Sequence, residues 1–147
     1  MILRSHRVSD LDALYRIDQE CFPPGISYSR EELAGFIRHR SSKTWVAEEE
    51  GEIAGFLVAG REAARVGHVI TIDIIPKWRR RGIGSALMEV AEAWSRRSGA
   101  KLLYLETGET NRVAQRFYQA RGYEQVDRIE NYYGQGAPAW VMMKLLK

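Results

Sequence analysis

The chain has 147 residues, 45% of them hydrophobic and 28% charged, which is ordinary for a globular protein of one domain and excludes a disordered chain. No apolar run approaches the ~20 residues of a membrane-spanning helix, and a single cysteine, Cys21, excludes an internal disulfide. Net charge is only +3, yet 17 of the 22 basic residues are arginine, a bias that suits bidentate phosphate contacts as well as a basic surface.

Along the chain, residues 2–7 read as a short strand. Ser9 or Asp10 is placed to cap a helix carrying Leu11, Leu14, Tyr15 and Ile17 on one face, ended by Phe22-Pro23-Pro24-Gly25. Ser29-Arg30-Glu31-Glu32 has the spacing of a capping box and opens a second helix to about His39. Strands follow at 44–48 and 53–59, joined at Glu50-Gly51-Glu52, and a third β run spans 67–75 up to Pro76. From Ile83 the period becomes helical, with Leu87, Val90, Ala91 and Trp94 on the stripe of Ile83, and Ser98-Gly99 ends it. Residues 101–107 form a strand. A helix at 111–121 has Val113, Ala114, Phe117 and Tyr118 as its apolar face, and strands at 123–130 and 139–146 close the chain. The order βααβββαβαββ predicts an α/β protein, residues 1–147 as a single domain, with a mixed sheet covered by helices on both faces.

The segment between the third β run and the next helix carries the most chemistry. A buried strand enters the basic turn Arg79-Arg80-Arg81, and Gly82 and Gly84 open a helix. Glycines let phosphate oxygens approach the unpaired amides of a helix start, where the helix dipole favours an anion. No Gly-Lys-Ser/Thr follows, so this is not a Walker loop, and a third glycine for a dinucleotide fingerprint is missing.

Arg79-Arg80-Arg81-Gly82-Ile83-Gly84 resembles the Arg/Gln-x-x-Gly-x-Gly/Ala signature of the GNAT acetyltransferase superfamily, and the element order agrees over essentially the whole chain. The resemblance implies a mixed, mostly antiparallel sheet with one splayed strand pair, and acetyl-CoA as cosubstrate with no metal. Its pyrophosphate would lie on Arg79, Arg80, Arg81, Gly82, Ile83, Gly84 and Ser85, its pantetheine arm along Ile72, Asp73 and Ile74, and Asn111 matches a further CoA-contacting position. Leu105-Glu106, Asn111-x-x-Ala114, Phe117-Tyr118, Gly122-Tyr123 and Asn131-Tyr132-Tyr133 resemble the RimI-type subgroup, which acetylates the N-terminal alanine of a ribosomal protein. By that resemblance Glu106 is the general base and Tyr118 the general acid of direct attack in a ternary complex. The stretch Glu106-Thr107-Gly108-Glu109-Thr110-Asn111 departs from the subgroup's Glu-Val-Arg-x-Ser-Asn, which bears on the peptide substrate and not on the chemistry.

Acyl transfer to an amine needs a base for the ammonium, polarisation of the carbonyl and a proton for the leaving thiolate. Glu106 and Tyr118 meet the first and last needs. Asp73 interrupts an apolar strand: it orients substrate or assists Glu106, or accepts backbone and arginine hydrogen bonds, the latter being the favoured reading. Tyr132 and Tyr133 wall a peptide groove or stand in an exposed loop. Cys21 reads as a core residue, and His6, His39 and His68 receive no role. The leading function is acetyl transfer to a protein or peptide N-terminus, a ribosomal protein included; the alternative is a small amine, polyamine or lysine side chain. A CoA-binding module without turnover and a nucleic-acid-binding domain are disfavoured. The expected setting is the cytoplasm, without membrane contact, as a monomer or homodimer.

Overall fold

The computed structural model describes residues 1–134 and 136–147, so that Gln135 of the Gly134-Gln135-Gly136 loop lies outside it. Seven strands, β1 (Ile2–Ser5), β2 (Ser42–Glu49), β3 (Glu52–Ala63), β4 (Val66–Ile74), β5 (Leu102–Gly108), β6 (Glu124–Ile129) and β7 (Ala139–Leu145), form one sheet in the order β1-β2-β3-β4-β5-β7-β6. The helices are α1 (Leu11–Cys21), α2 (Arg30–Arg38), α3 (Ile83–Arg97) and α4 (Arg112–Ala120). Among the described residues only β4 and β5 pair in parallel.

The meander β2–β4 follows from its turns. Glu50 and Gly51 both take positive φ, 49° and 79°, the geometry whose twist matches an antiparallel hairpin. β3 runs to Ala63, beyond the expected 53–59, because a second tight turn at 64–65 brings β4 straight back onto it. The last helical crossover does not lead to a neighbouring strand: β7 inserts between β5 and β6, which leaves β6 as an edge with every residue exposed.

Two cores lie on opposite faces. Leu87, Met88, Ala91, Leu103, Leu105, Tyr118 and Met142 pack beneath α3 and α4, while Leu14, Ile17, Leu33, Ile37, Phe56 and Val58 pack beneath α1 and α2. The capping box of α2 is made, with Glu32 N donating to Ser29 Oγ at 3.1 Å and Ser29 N to Glu32 Oε1 at 2.9 Å. Asp10 does not cap α1. Its carboxylate accepts from Arg7 N at 2.6 Å and from Arg4 at 2.8 and 3.0 Å, closing a 3-10 turn at Val8–Asp10 and tying β1 down. Val113 is also not on the buried face of α4; it is 71% exposed, and Gln115 is buried there, donating to the carbonyls of Gly108 and Glu109.

A bulge decides which residues of β4 face which core. Val58 pairs with Thr71 and Ala59 with Val69, so Ile70 is the extra residue. Val69, Ile72 and Ile74 therefore face the α3 core, while Thr71 and Asp73 are turned toward α1.

Candidate active site

β4 and β5 are paired only at Val66–Leu102, Gly67–Leu103 and His68–Tyr104. Beyond that point they separate, although β4 runs to Ile74 and β5 to Gly108. The splayed pair thus leaves Ile72, Asp73 and Ile74 without a β5 partner; backbone groups on such an open strand edge are donors and acceptors that an extended ligand can take up, although the Ile74 carbonyl is already engaged by side chains.

At the end of β4, Pro76–Trp78 makes a 3-10 turn, pinned by the buried Trp78, whose Nε1 donates to Glu52 at 2.5 Å. Arg79 Nε donates to the Ile74 carbonyl at 2.8 Å, and Arg80 adopts φ 62°. Gly82, the residue before α3, has φ 82°. Whereas α2 and α4 are capped by the side chains of Ser29 and Asn111, α3 has no side-chain cap, and its first helical bond is Ala86 N to Gly82 O. The amides of Ile83, Gly84 and Ser85 precede it and have no helical partner.

The two glycines serve different ends. Gly82 supplies the left-handed backbone, and the space where its Cβ would stand is open. A Cβ on Gly84 would meet Phe117 Cζ at 3.2 Å, so this glycine also lets α4 approach α3 closely. The open, uncapped turn with its three arginines fits a pyrophosphate. Arg79 is partly committed to the Ile74 carbonyl and Arg81 stacks over Trp78 at 5.0 Å. The Asn111 side chain accepts from Ala114 N at 3.2 Å as the cap of α4.

On the α1–α2 face, Glu106 lies in an aromatic and polar cluster. Its Oε1 is 2.6 Å from His68 Nε2, and His68 Nδ1 is 3.1 Å from Glu62 Oε1. The imidazole stacks on Tyr104 with ring centres 4.3 Å apart and planes 7° from parallel. His68 therefore belongs to the site, contrary to the sequence reading. Thirty-eight residues separate it from Glu106, and only the β4–β5 register brings them together. Burial first, then the Glu106 carboxylate, pushes the Tyr132 phenol up to about 12; burial also raises Tyr28 and Tyr133, each of which feels the Glu106 charge.

Tyr118 is on the other face of the sheet, 7% exposed within the α3–α4 core. Among the described residues its hydroxyl takes no hydrogen bond. Burial, then the Asp73 carboxyl, holds its phenol above the usual range, so it remains a proton donor at neutral pH. Asp73 is 1% exposed and accepts from Thr71 Oγ1 at 2.5 Å, not from the expected backbone or arginine groups. Cys21, half-buried, donates to the Ile74 carbonyl at 3.3 Å, and burial pushes its thiol up to about 11, which does not suit a nucleophile. Among the described residues there is no cluster of metal-ligating side chains and no helix long and apolar enough to cross a membrane.

Residues 11–123 match the model of the acetyltransferase (GNAT) family. An uncharacterized N-acetyltransferase of Methanocaldococcus jannaschii is 30% identical over 98% of this chain and 91% of its own length. An N-alpha-acetyltransferase of Sulfurisphaera tokodaii is 26% identical, covering 95% of this chain and 90% of its own. The crystal structure of the ribosomal-protein-S18-alanine N-acetyltransferase of Escherichia coli shares the fold, with a TM-score of 0.88 at 22% identity over 99% of this chain and 94% of that one.

Proposed function

The chain belongs to the GNAT acetyltransferase family, and on that premise we propose that residues 1–147 form one domain that acetylates the free α-amine at a protein N-terminus. The observation that supports the reading is the position of the Glu106 carboxyl and the Tyr118 phenol on opposite faces of a sheet that is open between β4 and β5. The likeness to named N-alpha-acetyltransferases supports the choice of acceptor, and the likeness to the Escherichia coli enzyme makes the N-terminal alanine of a ribosomal protein the first peptide to test.

Acetyl-CoA, when bound, supplies an acetyl thioester. Arg80, Arg81 and the amides of Ile83, Gly84 and Ser85 would hold its pyrophosphate, with Ile72, Asp73 and Ile74 along its arm. Glu106 accepts a proton from the acceptor ammonium, whose ordinary pKa near ~8 asks for only a weak base. His68 fixes the Glu106 carboxylate through Nε2 and opens a hydrogen-bonded route to the half-exposed Glu62, by which that proton reaches solvent. Tyr118 gives its hydroxyl proton to the departing thiolate as the amide bond forms and the carbon–sulfur bond breaks. Tyr28, Tyr132 and Tyr133 wall the acceptor side.

The test is thiol release from acetyl-CoA with a panel of N-terminal peptides, set against lysine peptides and polyamines. Turnover of free-N-terminus peptides is expected. Turnover confined to lysine or polyamine acceptors would refute the α-amine reading and leave the acetyltransferase chemistry intact.

A further inference from the structure

Beneath the acceptor side lies a pair of carboxyls that the mechanism above does not use. Asp18 of α1 is fully buried and Asp73 of β4 is 1% exposed, and each stands within hydrogen-bonding reach of the other. Each has one satisfied oxygen: Asp18 Oδ2 accepts from Tyr28 N at 2.8 Å, and Asp73 Oδ1 from Thr71 Oγ1 at 2.5 Å. The remaining oxygens, Asp18 Oδ1 and Asp73 Oδ2, are buried and without a donor among the described residues. Two ionised carboxylates in that arrangement would repel each other at low dielectric with two acceptors unmet; one proton between them turns the repulsion into a hydrogen bond.

We propose that Asp18 and Asp73 share one proton, and that this link positions the segment between α1 and α2, with Tyr28 at its end, for the acceptor. The inference rests on the acceptor side assigned above. Asp18 reaches that segment directly through Tyr28 N, and its neighbour Gln19 donates to the Tyr28 carbonyl at 2.7 Å. The Tyr28 ring packs edge-on against Phe36, and its hydroxyl donates to the Ile70 carbonyl at 3.4 Å. The link therefore runs from the β4 strand along the ligand cleft, through α1, to a tyrosine that feels the Glu106 charge. The charged and titratable groups facing the pair are Cys21 on α1, Tyr28 on the following segment, Arg79 beyond β4 and Tyr118 on α4. Arg79 is the one cation among them, and its Nε is engaged by the Ile74 carbonyl. Burial, then Asp18, raises Asp73 well above the carboxylate range, in keeping with a retained proton.

Three measurements test this. Infrared spectra of protein carrying carbon-13 at its aspartate carboxyls should show a label-sensitive protonated-carboxyl band at neutral pH that Asp73→Asn abolishes; absence of that band in the unsubstituted protein overturns the shared proton. Thermal melts should show the Tm of Asp73→Asn, relative to the unsubstituted protein, rising as pH increases from mildly acidic to mildly alkaline, because the amide needs no proton; parallel pH dependences overturn it as well. Asp18→Ala removes the acceptor of Tyr28 N and should raise the KM for the best acceptor peptide by about tenfold with the acetyl-CoA KM unchanged. An equal rise in both, or none in a folded variant, overturns the positioning role. If Asp18→Ala does not fold, Asp18→Asn takes its place: the ratio of its acceptor KM to that of the unsubstituted protein, in which the acceptor amine's own titration cancels, should change between mildly acidic and mildly alkaline pH, and a constant ratio overturns the positioning role. The infrared and melting measurements need no turnover, so they stand even if the α-amine reading fails.

Discussion

At Glu106, removing charge while keeping shape separates a base from an anchor. Glu106→Gln keeps a hydrogen bond to His68 but cannot take a proton. Its kcat at neutral pH should fall roughly 10²-fold or more and recover partly above the acceptor amine's own pKa, as a pH–rate profile would show. His68→Phe keeps the stack on Tyr104 and loses the 2.6 Å contact. A smaller fall in kcat with a displaced acid limb is expected, since His68 acts through Glu106. Tyr118→Phe removes a hydroxyl that has no partner to lose among the described residues, so stability should hardly change while kcat falls by about 10²–10⁴-fold. A thioester with a more acidic thiol should partly rescue it, because its leaving group needs less protonation. A folded Tyr118→Phe protein with unaltered kcat would remove Tyr118 from the reaction.

Among the elements, α3 has the most to answer for. Its N-terminus depends on two glycines that differ in what they tolerate. Gly82→Ala meets open space but a φ of 82°, so it should cost about 1 kcal/mol of stability and raise the acetyl-CoA KM. Gly84→Leu instead collides with Phe117, which displaces α4 and with it Tyr118, so stability and kcat should fall together. Denaturant melts beside steady-state kinetics distinguish the two patterns. Farther along α3, Glu92 is 3% exposed and accepts from Tyr123 Oη at 2.8 Å, Lys144 Nζ at 3.1 Å and Arg121 Nη2 at 3.4 Å. It joins α3 to the end of α4 and to β7. Glu92→Ala strands these three donors and should destabilise the fold by about 3 kcal/mol, measured by chemical denaturation.

For the whole molecule, stability should form a dome in pH whose two sides have different origins. Asp10, hydrogen-bonded to Arg4, titrates below its usual range in the folded chain. Its contribution is complete above the unfolded carboxyl's pKa, near ~4, and is lost as pH falls through the lower folded value. Asp73 shifts the opposite way, so its contribution is present at acid pH and declines as pH rises from the carboxylate range toward the folded value. Asp10→Asn should therefore flatten the acid side of a Tm–pH curve and leave the neutral-to-alkaline side in place, which melts across that range would check.

The elements and the glycine-opened, uncapped start of α3 were settled by the amino-acid sequence, because both are local. The capping box of α2, the Glu50-Gly51 hairpin and the helix start at Gly82 each need only residues within a few positions of one another. Glu106 and Tyr118 were singled out for a different reason: they lie inside short motifs that resemble those of the family, and the roles proposed for them come from that resemblance. Tertiary structure alone decided what depends on register and approach. The bulge at Ile70 turned Asp73 toward Asp18, the brief parallel pairing of β4 with β5 set His68 against Glu106, and the approach of α4 to α3 set Phe117 against Gly84. Val113 left its expected place on the buried face of α4, where Gln115 lies instead, donating to the carbonyls of Gly108 and Glu109 as no apolar side chain can. In each case the partners are distant in sequence, and no local periodicity encodes the distance at which two strands part or two helices meet.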